Sequence, residues 1–154
     1  MSKLAVILIR GTVNTHPDVR KTLELLRLKK KHACVVIEDN EVSKGMLQKV
    51  QDYVTFGPIT EETFVELISK RGELVGKAKV DGKNVDAKAV AKEFFTTGLK
   101  LRDFEEKYSL KPFFRLHPPK GGFERGGIKQ PTSKGGVLGK RDEAKITALI
   151  QKML

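Results

Sequence analysis

The chain of 154 residues has little of several features on which other classes of protein depend. It has a single cysteine, Cys34, and therefore no internal disulfide, which is typical of a reducing cytoplasm. Its longest apolar run, LAVILI at residues 4–9, is far shorter than the roughly 20 residues that a membrane-spanning helix needs. No small-residue cleavage site follows this run, so we interpret it as a strand and not as a signal peptide.

Acidic residues are scarce in one part of the chain. The net charge is +11, and residues 112–141 hold seven cations beside a single acid, Glu124. The same segment holds seven of the 14 glycines and four of the six prolines. Folding gains nothing from charges that repel one another, so this composition favours a polyanionic partner. Nucleic acid is the first interpretation, an anionic membrane surface the second, and solubility alone the third.

Motifs of cofactor and metal sites are also missing. The three histidines and Cys34 are scattered without the spacing of a zinc site, so we expect neither metal nor cofactor. The run GGVLGKR at 135–141 resembles a nucleotide-binding loop near its end. However, Lys134 stands where the first glycine of that motif belongs, and Arg141 replaces the Ser or Thr that binds magnesium.

One arrangement leaves a catalytic alternative open. Arg10 and Gly11 lie between a predicted strand and a predicted helix, where the helix N-terminus favours an anion. Small phosphate-ester hydrolases of the split β-α-β type use such a loop together with a polar residue on a neighbouring strand. In this chain only Asn40 is available for that second role, at the far end of its strand.

The first 60 residues predict a β-α-β-α-β order. Apolar runs at 3–9, 33–39 and 53–56 predict strands, the last of them ending at Gly57-Pro58. Pro17 suits the first turn of a helix whose inner stripe is Val19, Leu23 and Leu26. Asn40 is placed to cap a second helix, with Val42, Met46, Leu47 and Val50 facing inward. The predicted fold class is α/β with a ferredoxin-like, split β-α-β core.

The rest of the chain predicts a mainly helical insertion at 61–111, followed by a strand and a final helix within 112–154. Thr60, Asp86 and Asp142 are placed to cap helices, and Gly98 to end one. Asp81-Gly82 predicts a hairpin turn. Between strand PFFRL at 112–116 and the last helix, which we expect to pack on the core, lies a Gly/Lys/Arg-rich segment at 118–140, called the arm below.

Two groups of cations are candidates for binding nucleic acid. The first loop and helix supply Arg10, Arg20, Lys21 and Arg27, and the strand and arm region supplies Arg115, Lys120, Arg125, Lys129, Lys134, Lys140 and Arg141. His16 and His117 are further candidates. We expect the arm's glycine N–H groups to reach phosphates, the arm to add nothing to the core, and its replacement by a linker to leave the core folded. Phe123 is the arm's only aromatic residue, so recognition of folded RNA by shape is favoured over stacking on single strands.

Several motifs along the whole chain are similar to one family of ribosomal proteins. They are IRG at 9–11, HPDVRKTLELLRL at 16–28, GML at 45–47, ISKRG at 68–72 and FRLHPPKGGF at 114–123. In these motifs the chain resembles the L-thirty family of the large ribosomal subunit, whose eukaryotic counterpart is called L-seven. With the later insertion and the arm, and a start at the first strand, it looks archaeal-type.

The resemblance implies a ferredoxin-like core, no catalysis, and a role in binding and stabilising large-subunit ribosomal RNA beside neighbouring ribosomal proteins in the cytoplasm. It implies no membrane and no small-molecule substrate. By position, the family's basic first loop and helix correspond to Arg10, His16, Arg20, Lys21 and Arg27, and its arm to Arg115, His117, Lys120 and Lys129. Arg125, Lys134, Lys140 and Arg141 are added on electrostatic grounds alone. A free RNA-binding or chaperone module remains the alternative, with the phosphate-handling enzyme behind it.

Overall fold

The computed structural model describes residues 2–76, 80, 85–97 and 101–154. Five strands form one sheet in the order β4-β2-β1-β3-β5, and helices cover both of its faces. In chain order the elements are β1 (Lys3–Leu8), α1 (Pro17–Leu25), β2 (Ala33–Glu38), α2 (Glu41–Val50), β3 (Val54–Pro58), α3 (Glu61–Arg71), α4 (Ala87–Thr97), α5 (Leu101–Tyr108), β4 (Phe114–Arg115), β5 (Gly139–Lys140) and α6 (Glu143–Met153).

The central three strands contain the predicted split unit. Strand β1 pairs antiparallel with β2 on one side and with β3 on the other. Strands β2 and β3 therefore run parallel, are connected through α2, and have β1 between them. This is a split β-α-β unit, and the predicted α/β, ferredoxin-like class is confirmed.

Each face of the sheet packs on its own layer of helices. Alternate residues of β1 point to opposite faces, so Val6 and Leu8 contact the α1 and α2 layer while Ala5 and Ile7 contact the opposite layer. Helices α3, α4 and α6 supply most of that opposite layer, through buried residues such as Phe64, Phe94 and Ile150. Burial on both faces explains why β1 reads as a continuous apolar run.

Most of the predicted helix caps are present. The side chain of Asn40 accepts a hydrogen bond from the Ser43 N–H at 2.7 Å, and Asp86 accepts one from Lys88 at 3.0 Å. Thr60 caps α3 in the same way, through the Thr63 N–H. Asp142 is the exception: it precedes α6, but its side chain makes no capping bond and lies 3.6 Å from the Lys145 ammonium.

Two further expectations are wrong. Val42 does not face the core and is 73% exposed. The face of α2 that packs against the sheet carries Leu47 and Val50 instead. Strand β3 does not stop before Gly57-Pro58 but runs through both, since Gly57 pairs with Ala5 and Pro58 with Leu4. The predicted turn at 81–82 and the helix end at Gly98 lie outside the described residues.

The arm contributes to the core, contrary to the expectation drawn from its composition. Val137 and Leu138 are buried among the residues of α3, α4 and α6, and the arm ends in β5, which extends the sheet beside β3. Its backbone also folds back on itself, with a hydrogen bond from the Gly126 N–H to the Gly135 carbonyl. Replacement of residues 118–140 would remove buried apolar area, so we expect it to destabilise the core.

The glycines of the arm serve internal packing more than approach to a ligand. The N–H groups of Gly122, Gly126, Gly127, Gly135 and Gly136 all donate to carbonyls of the arm itself. A Cβ on Gly136 would lie 2.1 Å from the Gln130 carbonyl oxygen, which no side chain can accommodate without moving the backbone. The prediction that the glycine N–H groups of the arm bind phosphates is therefore wrong for these five, because each already donates to a carbonyl.

Gly136→Ala is expected to lower the free energy of unfolding by about 2 kcal/mol, because the added methyl group collides with a carbonyl that also holds the arm together. Gly45→Ala is the matched control. A Cβ at Gly45 meets nothing within 4 Å, and Gly45 lies inside α2, so the substitution should stabilise by about 0.5–1 kcal/mol. Urea denaturation measures both, and equal midpoints for the two variants would contradict the packing described for the arm.

Cys34 should be chemically inert in the folded protein. It lies fully buried in β2, and this burial raises the pKa of its thiol to about 12, so the reactive thiolate is almost absent at pH 8. We expect labelling by a disulfide reagent such as dithionitrobenzoate only after unfolding, with a rate that rises with urea through the unfolding transition. Rapid stoichiometric labelling without denaturant would contradict this burial.

Candidate nucleic-acid interface

One end of the sheet gathers the ends of all five strands. The register places the carboxyl end of β1 beside the amino ends of β2 and β3. The carboxyl end of β4 and the amino end of β5 lie at the same edge, through the pairs Ala33–Arg115 and Thr55–Gly139. Loops far apart in the sequence therefore meet here, namely those that carry Arg10, residues 29–32, and the start of the arm.

This end of the sheet is strongly cationic. We call it the basic end and define it by Arg10, Arg27, Lys29, Lys30, Lys31, Arg115 and Lys129. Two of its loops meet where the Lys31 side chain lies against Gly11. The Lys31 Cε is 3.0 Å from the position that a Cβ on Gly11 would take. Among the described residues, no carboxylate forms an ion pair with Lys29, Lys30, Lys31 or Arg115. Their charge is therefore available to a partner.

Sequence reasoning missed Lys29, Lys30 and Lys31 as binding residues. The KKKH run at 29–32 suits the carboxyl end of a helix, where cations interact favourably with the negative end of the helix dipole. Helix α1 ends earlier, at Leu25, and the lysines lie in the loop that leads to β2. The sequence did contain a signal, because a run of three consecutive lysines is longer than a helix end requires.

Arg27 and Arg115, both predicted, line the same cleft of about 590 Å³ with the three lysines. Arg27 adopts a left-handed conformation (φ 60°), and its guanidinium lies 3.3 Å from the Glu105 carboxylate. The guanidinium of Arg115 lies 5.7 Å from the centre of the Phe113 ring. These two residues are 88 positions apart in the sequence, and only the pairing of β4 with β2 brings them together.

Arg10 and Lys129 line a second cavity, of about 420 Å³, between the β3 end of the sheet and the arm. The Arg10 guanidinium lies 5.0 Å from the Tyr53 ring and donates to the Asp52 carbonyl at 3.2 Å. Asn40, the partner that the catalytic alternative needs, follows the carboxyl end of β2 and so lies at the opposite end of the sheet. The two residues cannot act on one phosphate.

The remaining predicted residues of the first group lie on α1. His16 caps the helix, with its Nδ1 accepting from the Asp18 N–H at 3.3 Å. Arg20 pairs with Glu24, while Lys21 is exposed. All three lie outside the two cavities of the basic end.

The remaining predicted residues of the second group follow β4 or lie within the arm. His117 hydrogen-bonds Arg71 at 2.9 Å through Nε2, and the backbone N–H of Lys120 donates to the Lys152 carbonyl, so both are tied to α3 or α6. The side chains of Arg125, Lys134 and Lys140 are exposed along the arm. None of these three lines a described cavity that also contains the cations of the basic end.

Arg141 requires a correction, because its side chain is buried and only 1% exposed. Its guanidinium donates to both carboxylate oxygens of Glu124, to the Thr55 hydroxyl at 2.8 Å and to the Val137 carbonyl. Four of its five N–H groups are therefore occupied within the protein. We therefore remove Arg141 from the candidate interface and assign it to anchoring the arm.

The arm reaches the basic end through Phe123. This ring stacks on His32, with centroids 6.1 Å apart and an angle of 21° between the planes. Burial, with a smaller contribution from the Lys31 charge, lowers the pKa of His32. The imidazole is therefore held neutral at physiological pH, as suits a ring packed against an aromatic side chain. The stack places the start of the arm beside residues 29–32, which we call the lysine loop.

The opposite end of the sheet carries acids. Glu38, Asp39 and Glu41 follow the carboxyl end of β2, and Glu61 and Glu62 follow that of β3. Glu41, Glu61 and Glu62 begin helices, where negative charge is favourable, whereas Glu38 ends β2 and Asp39 pairs with Lys44. The protein is therefore polarised along the strand direction, with cations at one end and acids at the other.

The described residues give no sign of a membrane span or a metal centre. None of their helices combines the length and apolar character that crossing a bilayer takes. No group of three or more His, Cys, Asp or Glu among them could hold a metal ion.

Comparison with known proteins identifies the family. A family model described as Ribosomal protein L30p/L7e matches residues 4–54, which span β1 to the start of β3. Three relatives bear the name Large ribosomal subunit protein uL30. The one from Methanococcus vannielii is 42% identical over 97% of this chain and 98% of its own length. The one from Methanopyrus kandleri is 40% identical over 95% of this chain and 100% of its own length. The one from Staphylothermus marinus is 42% identical over 97% of this chain and 97% of its own length.

The fold and the basic end define the chain as a small basic α/β protein with one cationic end. The identity of about 40% over nearly the whole of both chains goes further. The chain belongs to the Ribosomal protein L30p/L7e family, as an archaeal-type member. The resemblance found in its motifs is thereby confirmed, and the family is not one of enzymes.

Proposed function

We propose that the chain is a structural constituent of the large ribosomal subunit in the cytoplasm and binds folded large-subunit ribosomal RNA through the basic end. The observation that carries this proposal is the gathering of cations where all five strands end, of which only Arg27 pairs with a carboxylate among the described residues. The sheet anchors the loops that carry most of these charges, and Arg115 lies in β4 itself, so the charges present one surface for recognition of RNA by shape and backbone. Neighbouring ribosomal proteins would contact the remaining surface, and no catalysis is part of the role.

The arm has two roles in this proposal. Its inner side, with Val137, Leu138 and the contacts of Arg141, is part of the core. Its exposed side chains include Lys120, Arg125, Lys129, Lys134 and Lys140, which extend the cationic surface along the arm. Phosphate contacts by these side chains would add affinity without sequence information, as backbone contacts do.

Sedimentation of a cell extract tests the assignment against the free RNA-binding or chaperone alternative. We expect the native protein to migrate with large subunits in one-to-one stoichiometry and to remain there through moderate salt. Recovery of the protein only in light, ribosome-free fractions would overturn the proposal. An acyl-phosphate hydrolysis assay is expected to show no turnover, and turnover that Arg10→Ala abolishes would revive the enzyme alternative.

A further inference from the structure

We propose that the cleft between Arg27, the lysine loop and Arg115 holds one unpaired nucleotide of the bound RNA. This inference rests on the proposed function and makes it more specific, because it names the feature of the RNA that one site recognises. The rest of the basic end contacts the RNA backbone, whereas this cleft takes a base that has left its helical stack.

The cleft has the size and the lining for such a ligand. Its volume of about 590 Å³ falls within the range of small-molecule sites. Its apolar part is formed by Ala33, Phe113 and Leu116, and cations surround it. A nucleotide has the same division, with an apolar base face at one end and an anionic phosphate at the other.

A flat wall for the base is already assembled. The Phe113 ring is half-buried, and the Arg115 guanidinium lies 5.7 Å from its centre. Packing of Phe113 against the α1 and α2 layer of the core holds the ring in place. Aromatic rings and guanidinium planes are the two groups on which unstacked RNA bases pack in proteins. A base inside a continuous duplex presents no free face, so this wall suits an unpaired base.

The phosphate end is equally defined. Lys29, Lys30 and Lys31 are exposed and, among the described residues, have no carboxylate partner. Glu24 is the one acid in the described lining of the cleft, and its carboxylate is paired with Arg20 at 3.5 Å. An acidic peptide could satisfy these lysines but would leave the flat wall unused, which favours a nucleotide.

Substitutions that replace a planar side chain by a non-planar one of equal charge and similar volume test the inference. The probe is a transcript of the large-subunit ribosomal RNA, titrated with the full chain at several salt concentrations. Phe113→Leu and Arg115→Lys should each weaken binding by about 5- to 150-fold, the range that loss of one stacked base produces. The slope of log affinity against log salt should not change, since every lysine that meets a phosphate is still present.

Two further variants serve as controls. Phe113→Tyr keeps a ring and should bind more tightly than Phe113→Leu, because the base can still stack. Phe95→Leu removes another half-buried ring, one that packs on the far layer against Phe64, and should leave affinity unchanged. Arg115→Lys lies on the exposed surface, so it keeps the test valid even if Phe113→Leu does not fold.

The outcomes separate this inference from the proposed function. Unchanged affinity in Arg115→Lys and in folded Phe113→Leu, with tight binding by the unaltered chain, would overturn the nucleotide site and leave ribosomal RNA binding intact. A fall in affinity in Arg115→Lys, with none in folded Phe113→Leu, would assign Arg115 to a phosphate that it holds with two N–H groups, and would also overturn the nucleotide site. Failure of the unaltered chain to bind the transcript would remove both proposals.

Discussion

Glu124→Ala should lower the free energy of unfolding by about 3 kcal/mol, although Glu124 is an exposed residue in a glycine-rich loop. Its carboxylate is the only acid that pairs with Arg141 among the described residues, and the Arg141 side chain is 1% exposed. Removal of the carboxylate leaves a buried cation without a counterion, which costs more than the pair itself contributes. We expect the lower part of the usual range, because the Glu124 side chain is 45% exposed and water can enter its place.

Glu66→Ala is the matched control for this substitution. Glu66 has nearly the same exposure, 43%, and also pairs with a cation, Lys70, but on the surface of α3 at 3.6 Å. Its loss should cost no more than about 0.5 kcal/mol. Equal urea midpoints for the two variants would show that the Arg141 cation is not buried as described. Faster tryptic cleavage after Arg125 and Lys129 in Glu124→Ala would report release of the arm.

A second substitution separates the effect of losing the ion pair from the effect of leaving a buried charge unpaired. In the Glu124→Ala background, Arg141→Met removes the buried cation and should recover part of the lost stability. The recovery should be incomplete, since the Thr55 hydroxyl and the Val137 carbonyl then lose their donor. Further destabilisation in the double variant would mean that Arg141 contributes through contacts other than its charge.

Simultaneous replacement of Lys29, Lys30 and Lys31 by alanine should weaken binding to large-subunit ribosomal RNA by roughly 100-fold near 0.1 M salt. Each phosphate that is no longer neutralised by a lysine lowers the slope of log affinity against log salt by roughly 0.7–0.9, so the slope should fall by about 2. Stability should change little, because the three side chains are exposed and unpaired among the described residues. Titration of the transcript at several salt concentrations measures both effects.

The control removes equal charge from elsewhere. Lys44, Lys88 and Lys92 are exposed residues of α2 and α4, and the last two line a cavity beside the acids that begin α3. Their triple replacement by alanine should leave the salt slope nearly unchanged. A similar loss of affinity in both triple variants would show that net charge, and not the basic end, attracts the RNA.

Local chemistry made much of the fold predictable. The periodicity of α1 and α3, and the caps Asn40, Thr60 and Asp86, depend on residues within four positions of one another. Val42 shows the limit of this reasoning, because an apolar residue near the start of a helix can equally face solvent. The positions of β4 and β5 at the two edges of the sheet depend on long-range pairing and were not predicted.

The candidate site was predictable only in part for the same reason. Arg10 and Lys129, or Arg27 and Arg115, meet because β4 and β5 join the two edges of a sheet begun more than 80 residues earlier. Arg141 shows the opposite failure, since charge in a basic segment indicated a ligand contact and the structure gives it an internal acid instead. No local feature distinguishes Arg141 from Lys140, its exposed neighbour.

The separation of charge along the strands has a consequence for the speed of assembly. With acids at one end of the sheet and cations at the other, the protein carries an electric dipole, and the field of a polyanion turns it before contact. Encounters that begin with the wrong side are thereby reduced, and the orientational penalty that slows most associations becomes smaller. In the proposed arrangement the acids that begin α2 and α3 would touch no RNA, yet they would help decide how quickly the basic end finds it.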